Sequence, residues 1–312
     1  MASVAGAKQV YIVPDGALQI VNFAALPTGQ ATYLVETGPI LNLLSAERDL
    51  AAPTPTSHAT QLLALGNPAF SASKPAGILI SSSARYRGSR SACPGFAGMN
   101  FPDLPGSAEE AQSVAAIWRA QGMPATSLAG SRATEAALKE QAAGKRVIHL
   151  ATHGFFLGRN CKTADELTEN PLLRSGLALA GANHRTAAGP DEEDGILTAE
   201  EVASLDLSGV EWVVLSGCDT GLGEIQEGEG VLGLRRAFRV AGAQTLITSL
   251  WSVGDDDARE WMVALYRARF ANKSSTANAV RGASTAELRA RRAAGKSTHP
   301  FYWAGFIAVG GR

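Results

Sequence analysis

The chain lacks the markers of several specialised classes. Its 312 residues include only three cysteines, Cys93, Cys161 and Cys218, an odd number at wide spacing. They do not make a disulfide framework, so a reducing compartment, the cytoplasm, is expected. The net charge of −1 gives no electrostatic basis for binding nucleic acid. No apolar run reaches the ~18 residues of a membrane-spanning helix, and no membrane association is expected. The start, Met1-Ala-Ser-Val-Ala-Gly-Ala-Lys8, has no basic stretch followed by a long apolar one, which argues against a signal peptide. No period of ~20–50 residues recurs in the chain. Glu227-Gly-Glu-Gly230 lacks the Gly-Lys-Ser/Thr ending that grips phosphate, and no Gly-x-Ser-x-Gly elbow is present.

What remains is an ordinary globular composition, 46% apolar and 18% charged, at a length suited to one large α/β domain or two smaller ones. In the first half, Val10–Val13 and Leu18–Phe23 flank Pro14-Asp-Gly16, a pattern that predicts a hairpin. Tyr33–Glu36, Ile40–Leu43 and Leu62–Gly66 read as strands, and Ser45–Leu50 as a short helix capped by its serine. Residues 71–106 read as a long surface loop, followed by an amphipathic helix over Ser107–Arg119. The second half alternates strand and helix, with a capping box at Thr198-Ala-Glu-Glu201 and helices near 230–240, 257–270 and 276–293. A final strand is expected over Phe301–Val309. Such alternation predicts an α/β protein with a mostly parallel sheet covered by helices.

Two strand ends stand out. One is Val147-Ile-His-Leu-Ala-Thr-His153-Gly154, the other Val213-Val-Leu-Ser-Gly217-Cys218-Asp219-Thr-Gly221. Each is a buried-strand pattern that stops on a reactive side chain beside glycine. In a parallel sheet the carboxyl ends of strands converge on one crevice. A His and a Cys meeting there form a thiolate nucleophile with its general base. The His precedes the Cys by 65 positions, an order that suits a caspase-like peptidase better than a papain-like one.

At these residues the chain resembles the CHAT family of caspase-like domains, which often accompany tetratricopeptide repeats. Val13-Pro-Asp-Gly-Ala-Leu18, Leu65-Gly-Asn-Pro68 and Leu104-Pro-Gly-Ser-Ala-Glu-Glu110 resemble its N-terminal landmarks. His149-Leu-Ala-Thr-His-Gly154, Leu215-Ser-Gly-Cys-Asp-Thr-Gly221 and Leu250-Trp-Ser-Val-Gly-Asp255 resemble its core, and His299-Pro-Phe-Tyr-Trp-Ala-Gly-Phe306 its ending. The resemblance implies a caspase–haemoglobinase fold and a Cys218–His153 dyad, with no cofactor. It divides the chain into an N-terminal part, 1–145, and a catalytic part, 146–312, of one continuous unit. One departure is Ser216-Gly-Cys218, where many relatives carry alanine before the cysteine. In the similar stretch of separases the position of Asp255 lines a pocket for a basic residue. The alternative for Asp255 is simpler: three aspartates opening a helix are favoured there by its dipole.

In this chemistry Cys218 attacks a peptide carbonyl as thiolate, and His153 protonates the leaving amine. The backbone N–H groups of Gly154 and Cys218 are the expected oxyanion donors. His149 reads as a core histidine, because the helical zinc motif needs Glu where Leu150 stands; no metal is expected. Asp191-Glu-Glu-Asp194-Gly195 reads as a solvated loop, since Pro190 would occupy the first ligand position of an EF-hand. Arg281, Arg289, Arg291, Arg292 and Lys296 read as a solvated basic helix face, and Cys93 and Cys161 have no assigned role. The expected activity is that of a cysteine endopeptidase on a protein substrate; the alternative is an inactive caspase-like scaffold that binds a partner. With one such domain and no helical repeat, the chain is expected to be a fragment or to work with a separate regulatory protein, latent on its own until loops such as 183–195 and 221–229 order.

Overall fold

A computed structural model describes residues 6–51, 59–73, 96, 98–157, 171–189, 192–217 and 229–310. Cys93, Cys161 and Cys218 lie outside these residues, as do most of 71–106 and all but the end of 221–229.

The strands in chain order are β1 (Gln9–Ile12), β2 (Pro27–Gly29), β3 (Thr32–Tyr33), β4 (Ile40–Leu43), β5 (Leu62–Pro68), β6 (Ala125–Gly130), β7 (Val147–Ala151), β8 (Gly154–Phe156), β9 (Ser175–Ala178), β10 (Ile196–Thr198), β11 (Trp212–Ser216), β12 (Thr245–Ser249) and β13 (Phe306–Gly310). The helices are α1 (Leu34–Thr37), α2 (Pro105–Arg119), α3 (Glu135–Gln141), α4 (Ala199–Ala203), α5 (Glu229–Val240), α6 (Asp255–Tyr266) and α7 (Thr276–Ala293). Eight strands form the main sheet in the order β1-β4-β13-β12-β11-β7-β5-β6. From β12 to β6 all neighbours are parallel; β13 runs antiparallel to β12. The α/β class and the mostly parallel sheet flanked by helices are as expected. Strands from both sides of residue 145 share this sheet.

The alternation within each strand assigns its residues to one of two cores. Leu63, Leu65, Ile148, Leu150, Val213, Leu215 and Leu246 face a core closed by Leu138 of α3, Val202 of α4, and Leu234 and Phe238 of α5. Leu62, Ala64, Val147, Trp212, Val214 and Ile247 face the opposite core, against Trp118 of α2, Trp261 and Tyr266 of α6, and Ala283 of α7. Strands buried on both faces read as continuous apolar runs, which is why they were visible in the sequence. The parallel sheet brings the ends of β5, β7, β11 and β12 to one edge of the molecule.

The N-terminal region departs from expectation. The hairpin expected across Pro14–Gly16 does not form: β1 pairs in parallel with β4, and Gly16–Ile20 coils into a 3-10 turn that Asp15 caps at 2.8 Å from Gly16 N. A Pro-Asp-Gly sequence serves a helical cap as well as a reversal. Leu34–Thr37, expected as strand, is helical, with Glu36 reaching back 3.1 Å to Tyr33 N. Ser45 is no cap; Asp49 accepts from the backbone of Ser45 and Ala46 instead. The last strand begins at Phe306 rather than Phe301, because Pro300–Tyr302 forms a turn.

Two charged stretches read as solvated are structural. Arg281 donates to the carbonyls of Gly38 and Glu36, and Arg292 pairs with the Glu36 carboxylate, so α7 straps the N-terminal segment down. Glu193 of the acidic loop meets Lys139 of α3 at 3.2 Å, alongside Glu135 at 2.7 Å and Glu201 at 2.9 Å. Burial alone would lower the Lys139 pKa, but the carboxylates of Glu135 and Glu201 outweigh it and hold it above its usual value. Burial, then a hydrogen bond with Glu193 and the charge of Glu201, push the Glu135 carboxyl well above its usual range.

Candidate active site

The site is built on the ends of β7 and β11. Their register pairs Ala151 with Ser216. Thr152 N then donates to Ser216 O at 3.1 Å, the last rung between the two strands. Gly217 follows with φ +106°, and a Cβ there would sit 2.9 Å from the Thr152 carbonyl oxygen. Both the angle and the close approach require glycine at this position. The residues just before His153 and just before Cys218 are therefore packed against each other.

His153 is fully buried, and contacts with several described residues fix it. Its Nε2 lies 2.7 Å from the Pro102 carbonyl oxygen. A carbonyl only accepts, so the proton belongs on Nε2 and the lone pair on Nδ1. The ring packs on Phe70 and Phe101, with centroids 5.0 and 5.8 Å away. Its backbone carbonyl accepts from Ala178 N at 2.9 Å. Pro102 is itself positioned. Asn183 accepts from Phe101 N at 2.8 Å and donates to Phe101 O at 3.0 Å, while Asn67 accepts from Leu104 N at 3.0 Å. Sequence reasoning passed over Pro102, Asn183 and Asn67. Asn67 lay inside a quoted landmark, and its φ of +45°, a conformation asparagine tolerates, marks a constrained turn.

Gly154 opens β8, an edge of the small antiparallel sheet β10-β9-β8. Ladder bonds join Ala178 N to His153 O and Leu157 N to Arg174 O. Because such bonds alternate, the Gly154–Leu177 pair falls between them, and the Gly154 N–H points away from β9 to the open edge. That orientation suits a donor to a ligand. A Cβ at Gly154 would meet nothing closer than 3.9 Å, so sterics do not demand glycine there.

Asp255 is exposed in the first turn of α6. It also lines a cavity of about 370 Å³, counting its open mouth, together with Ser107, Ser216, Gly217, Ser249 and Phe306. Its carboxylate lies against Gly106, where any side chain would collide with it. The aspartate thus opens a helix and forms a wall beside the β11 end. His149 is elsewhere. It is fully buried on the α2–α6 side of β7, its Nε2 2.9 Å from Glu110 and its Nδ1 3.2 Å from the Tyr266 hydroxyl. The Glu110 approach is off the straight hydrogen-bond line, so the contact is chiefly electrostatic. Burial, then the Glu110 charge, push the Tyr266 hydroxyl well above its usual pKa. Both ring nitrogens face protein side chains, and sequence reasoning missed both partners.

The CHAT domain family matches residues 2–311, and the chain belongs to that family. Among curated proteins it is similar to tetratricopeptide repeat protein 28 of Homo sapiens, 31% identical over 121 residues, which are 39% of this chain and 5% of that protein. The Mus musculus counterpart is 33% identical over 117 residues, 37% of this chain and 4% of that protein. The chain therefore corresponds to a small part of those relatives' length. Among solved structures it is similar to the Arg-specific cysteine proteinase gingipain R, with TM-score 0.49 and 10% identity over 92% of this chain and 56% of that one. A structure described as a protease gives TM-score 0.48 and 11% identity over 92% of this chain and 57% of that one. No helix among the described residues is long and apolar enough to cross a membrane.

Proposed function

We propose that this chain is a cysteine endopeptidase in which Cys218 attacks a peptide carbonyl and His153, through Nδ1, acts as its base and then as acid to the leaving amine. The supporting observation is the register of β7 and β11. Ala151 pairs with Ser216, the last residues of their strands, and each proposed catalytic residue follows two positions later in the sequence. Gly154 N–H and Cys218 N–H are the proposed oxyanion donors. Residues 146–312 carry the dyad, and residues 1–145 support it by supplying the Pro102 carbonyl. Asp255, beside the β11 end, is the proposed acidic wall for an Arg or Lys before the scissile bond, where a charge-assisted pair is strong. No cofactor enters this reaction. The named relatives suggest a tetratricopeptide-repeat segment as regulatory partner, and cytoplasm as the site of action follows from the sparse cysteines.

The test is labelling by a thiol-reactive peptide electrophile, with Cys218→Ala as control and a peptide library as readout of preference. Labelling that depends on Cys218 and His153, with basic residues favoured, is the expected result. A folded chain that neither labels nor cleaves, alone or with its partner, would leave the scaffold reading in its place.

A further inference from the structure

Two buried arginines in this chain are treated differently. Arg185 is 4% exposed, and its guanidinium donates to the carbonyls of Phe96, Ala182 and Met99. Arg174 is 7% exposed, yet its Nε and Nη1 have no hydrogen-bond partner among the described residues. Its guanidinium lies over the face of Phe156, 5.9 Å from the ring centroid. The next residue, Ser175, is fully buried and its Oγ also lacks a partner among the described residues. A cation withdrawn from water without a counter-charge costs several kcal/mol. A buried guanidinium without hydrogen-bond partners at Nε and Nη1 among the described residues marks a place that a ligand completes.

The location supports this. Arg174 O accepts from Leu157 N at 2.6 Å, so the backbone holding the guanidinium is tied to the end of β8. Phe156 and Gly154, two apart on one strand, share a face of β8. They are separated by about 7 Å at the usual strand rise. An extended peptide whose scissile carbonyl sits at Gly154 N–H would present a side chain to Arg174 about two residues away. A single guanidinium matches a carboxylate monoanion better than a phosphate dianion.

We propose that Arg174 forms a subsite for an acidic side chain, Asp or Glu, of a polypeptide substrate, about two residues from the bond to be cut. This rests on the peptidase reading for the position of that bond, but not for the binding itself. It is distinct from the Asp255 wall, which selects a basic residue.

The experiment therefore reads binding and cleavage separately. Peptides with a fixed basic residue and Asp or Asn at each neighbouring position are titrated against the full chain carrying Cys218→Ala. The same pairs are offered for cleavage to the chain with its cysteine. Asp is expected to bind about tenfold or more tighter than Asn at one position, as for a hydrogen bond to a charged group. In Arg174→Met the Asp/Asn ratio should fall to about one, in Arg174→Lys it should partly persist, and Arg174→Glu should favour Lys there. Circular dichroism and thermal melting check that each variant is folded. Equal binding of Asp and Asn peptides by the unaltered site would overturn the subsite. So would an Asp preference that survives Arg174→Met. Asp-selective binding without any Cys218-dependent cleavage would support the subsite and overturn the peptidase reading alone.

Discussion

His149 and His153 belong to one stretch of chain and live in different surroundings. His149 lies inside β7, between Glu110 of α2 and Tyr266 of α6, and both of its nitrogens face side chains carried by packed helices. His153 lies past the strand end. One nitrogen is held by a backbone carbonyl, and the ring is gripped by two aromatic faces. The first arrangement spends a histidine on joining two helices to a sheet. The second holds the ring at a strand end and fixes its orientation through one ring nitrogen and two aromatic neighbours. A parallel sheet makes this difference out of position alone: within a strand the neighbours are the covering helices, and past its end they are the connecting loops.

The strongest way to break the contrast is to exchange the consequences. His153→Gln keeps a donor for the Pro102 carbonyl but removes the base. Turnover should fall by ~10³-fold, as for loss of a general acid–base group, while the melting curve moves little. Kinetics and calorimetry on one preparation check this. Large destabilisation with preserved turnover would make His153 a second structural histidine.

His149→Leu should do the reverse. It leaves Glu110 buried without its imidazole neighbour and removes the ring nitrogen that meets the Tyr266 hydroxyl. The expected cost is ~2 kcal/mol of folding free energy, within the range for leaving buried polar groups without their partners. Denaturant unfolding measures it. The protein that remains folded should turn over at the normal rate, and a loss of kcat without loss of stability would erase the contrast.

Much of this was legible in the sequence. The two-sided burial of β5, β7, β11 and β12 produces continuous apolar runs, and the Gly beside each reactive residue marks the strand end. The N-terminal strands were misread because short segments such as Leu34–Thr37 are decided by one capping carboxylate and one buried valine rather than by periodicity. The partners of His153 were not legible at all. A backbone carbonyl has no signature in a sequence, and Pro102 precedes its histidine by 51 positions. Charge patterning also misled. Arg281 and Arg292 look like a solvated face, but they are long enough to reach carbonyls and a carboxylate on a distant segment.

A smaller perturbation sharpens the comparison at the strand ends themselves. Gly217→Ala adds a Cβ against the Thr152 carbonyl at an angle that alanine resists. The cost of such strain is ~1–3 kcal/mol. It should be local, and it should lower thiol labelling at Cys218 about tenfold or more, because one residue separates the strain from the nucleophile. The same substitution at Gly154, where a Cβ has room, should leave folding stability nearly unchanged. Labelling rates and melts of the two variants, side by side, check it. Equal effects would mean that the strand-end geometry is not what positions the thiol.

The smallest effect concerns another interior polar cluster, Lys139 with Glu135, Glu193 and Glu201. If interior polar groups serve structure, this cluster should report in stability and not in turnover. Glu135 is pushed well up by burial first, then by its neighbours, so the folded chain holds a proton there that the unfolded chain releases. The unfolded carboxyl titrates near ~4.3. Above that value the unfolded state binds fewer protons than the folded one, so stability falls with rising pH until the folded carboxyl itself ionises. Glu201 has the opposite sign: its pKa is lowered, despite desolvation, by the Lys139 charge, and its contribution is lost as pH falls. Glu135→Gln mimics the protonated form, since its amide accepts from Lys139 and donates to Glu193. The variant should match the parent at pH near ~4 and become more stable than it as pH rises, by ~1 kcal/mol for each unit over which only the parent's folded state holds the proton. Unfolding curves across the pH range measure the difference. A pH-independent difference would mean that Glu135 is ionised in the fold, and a matching change in kcat would tie this cluster to the strand ends after all.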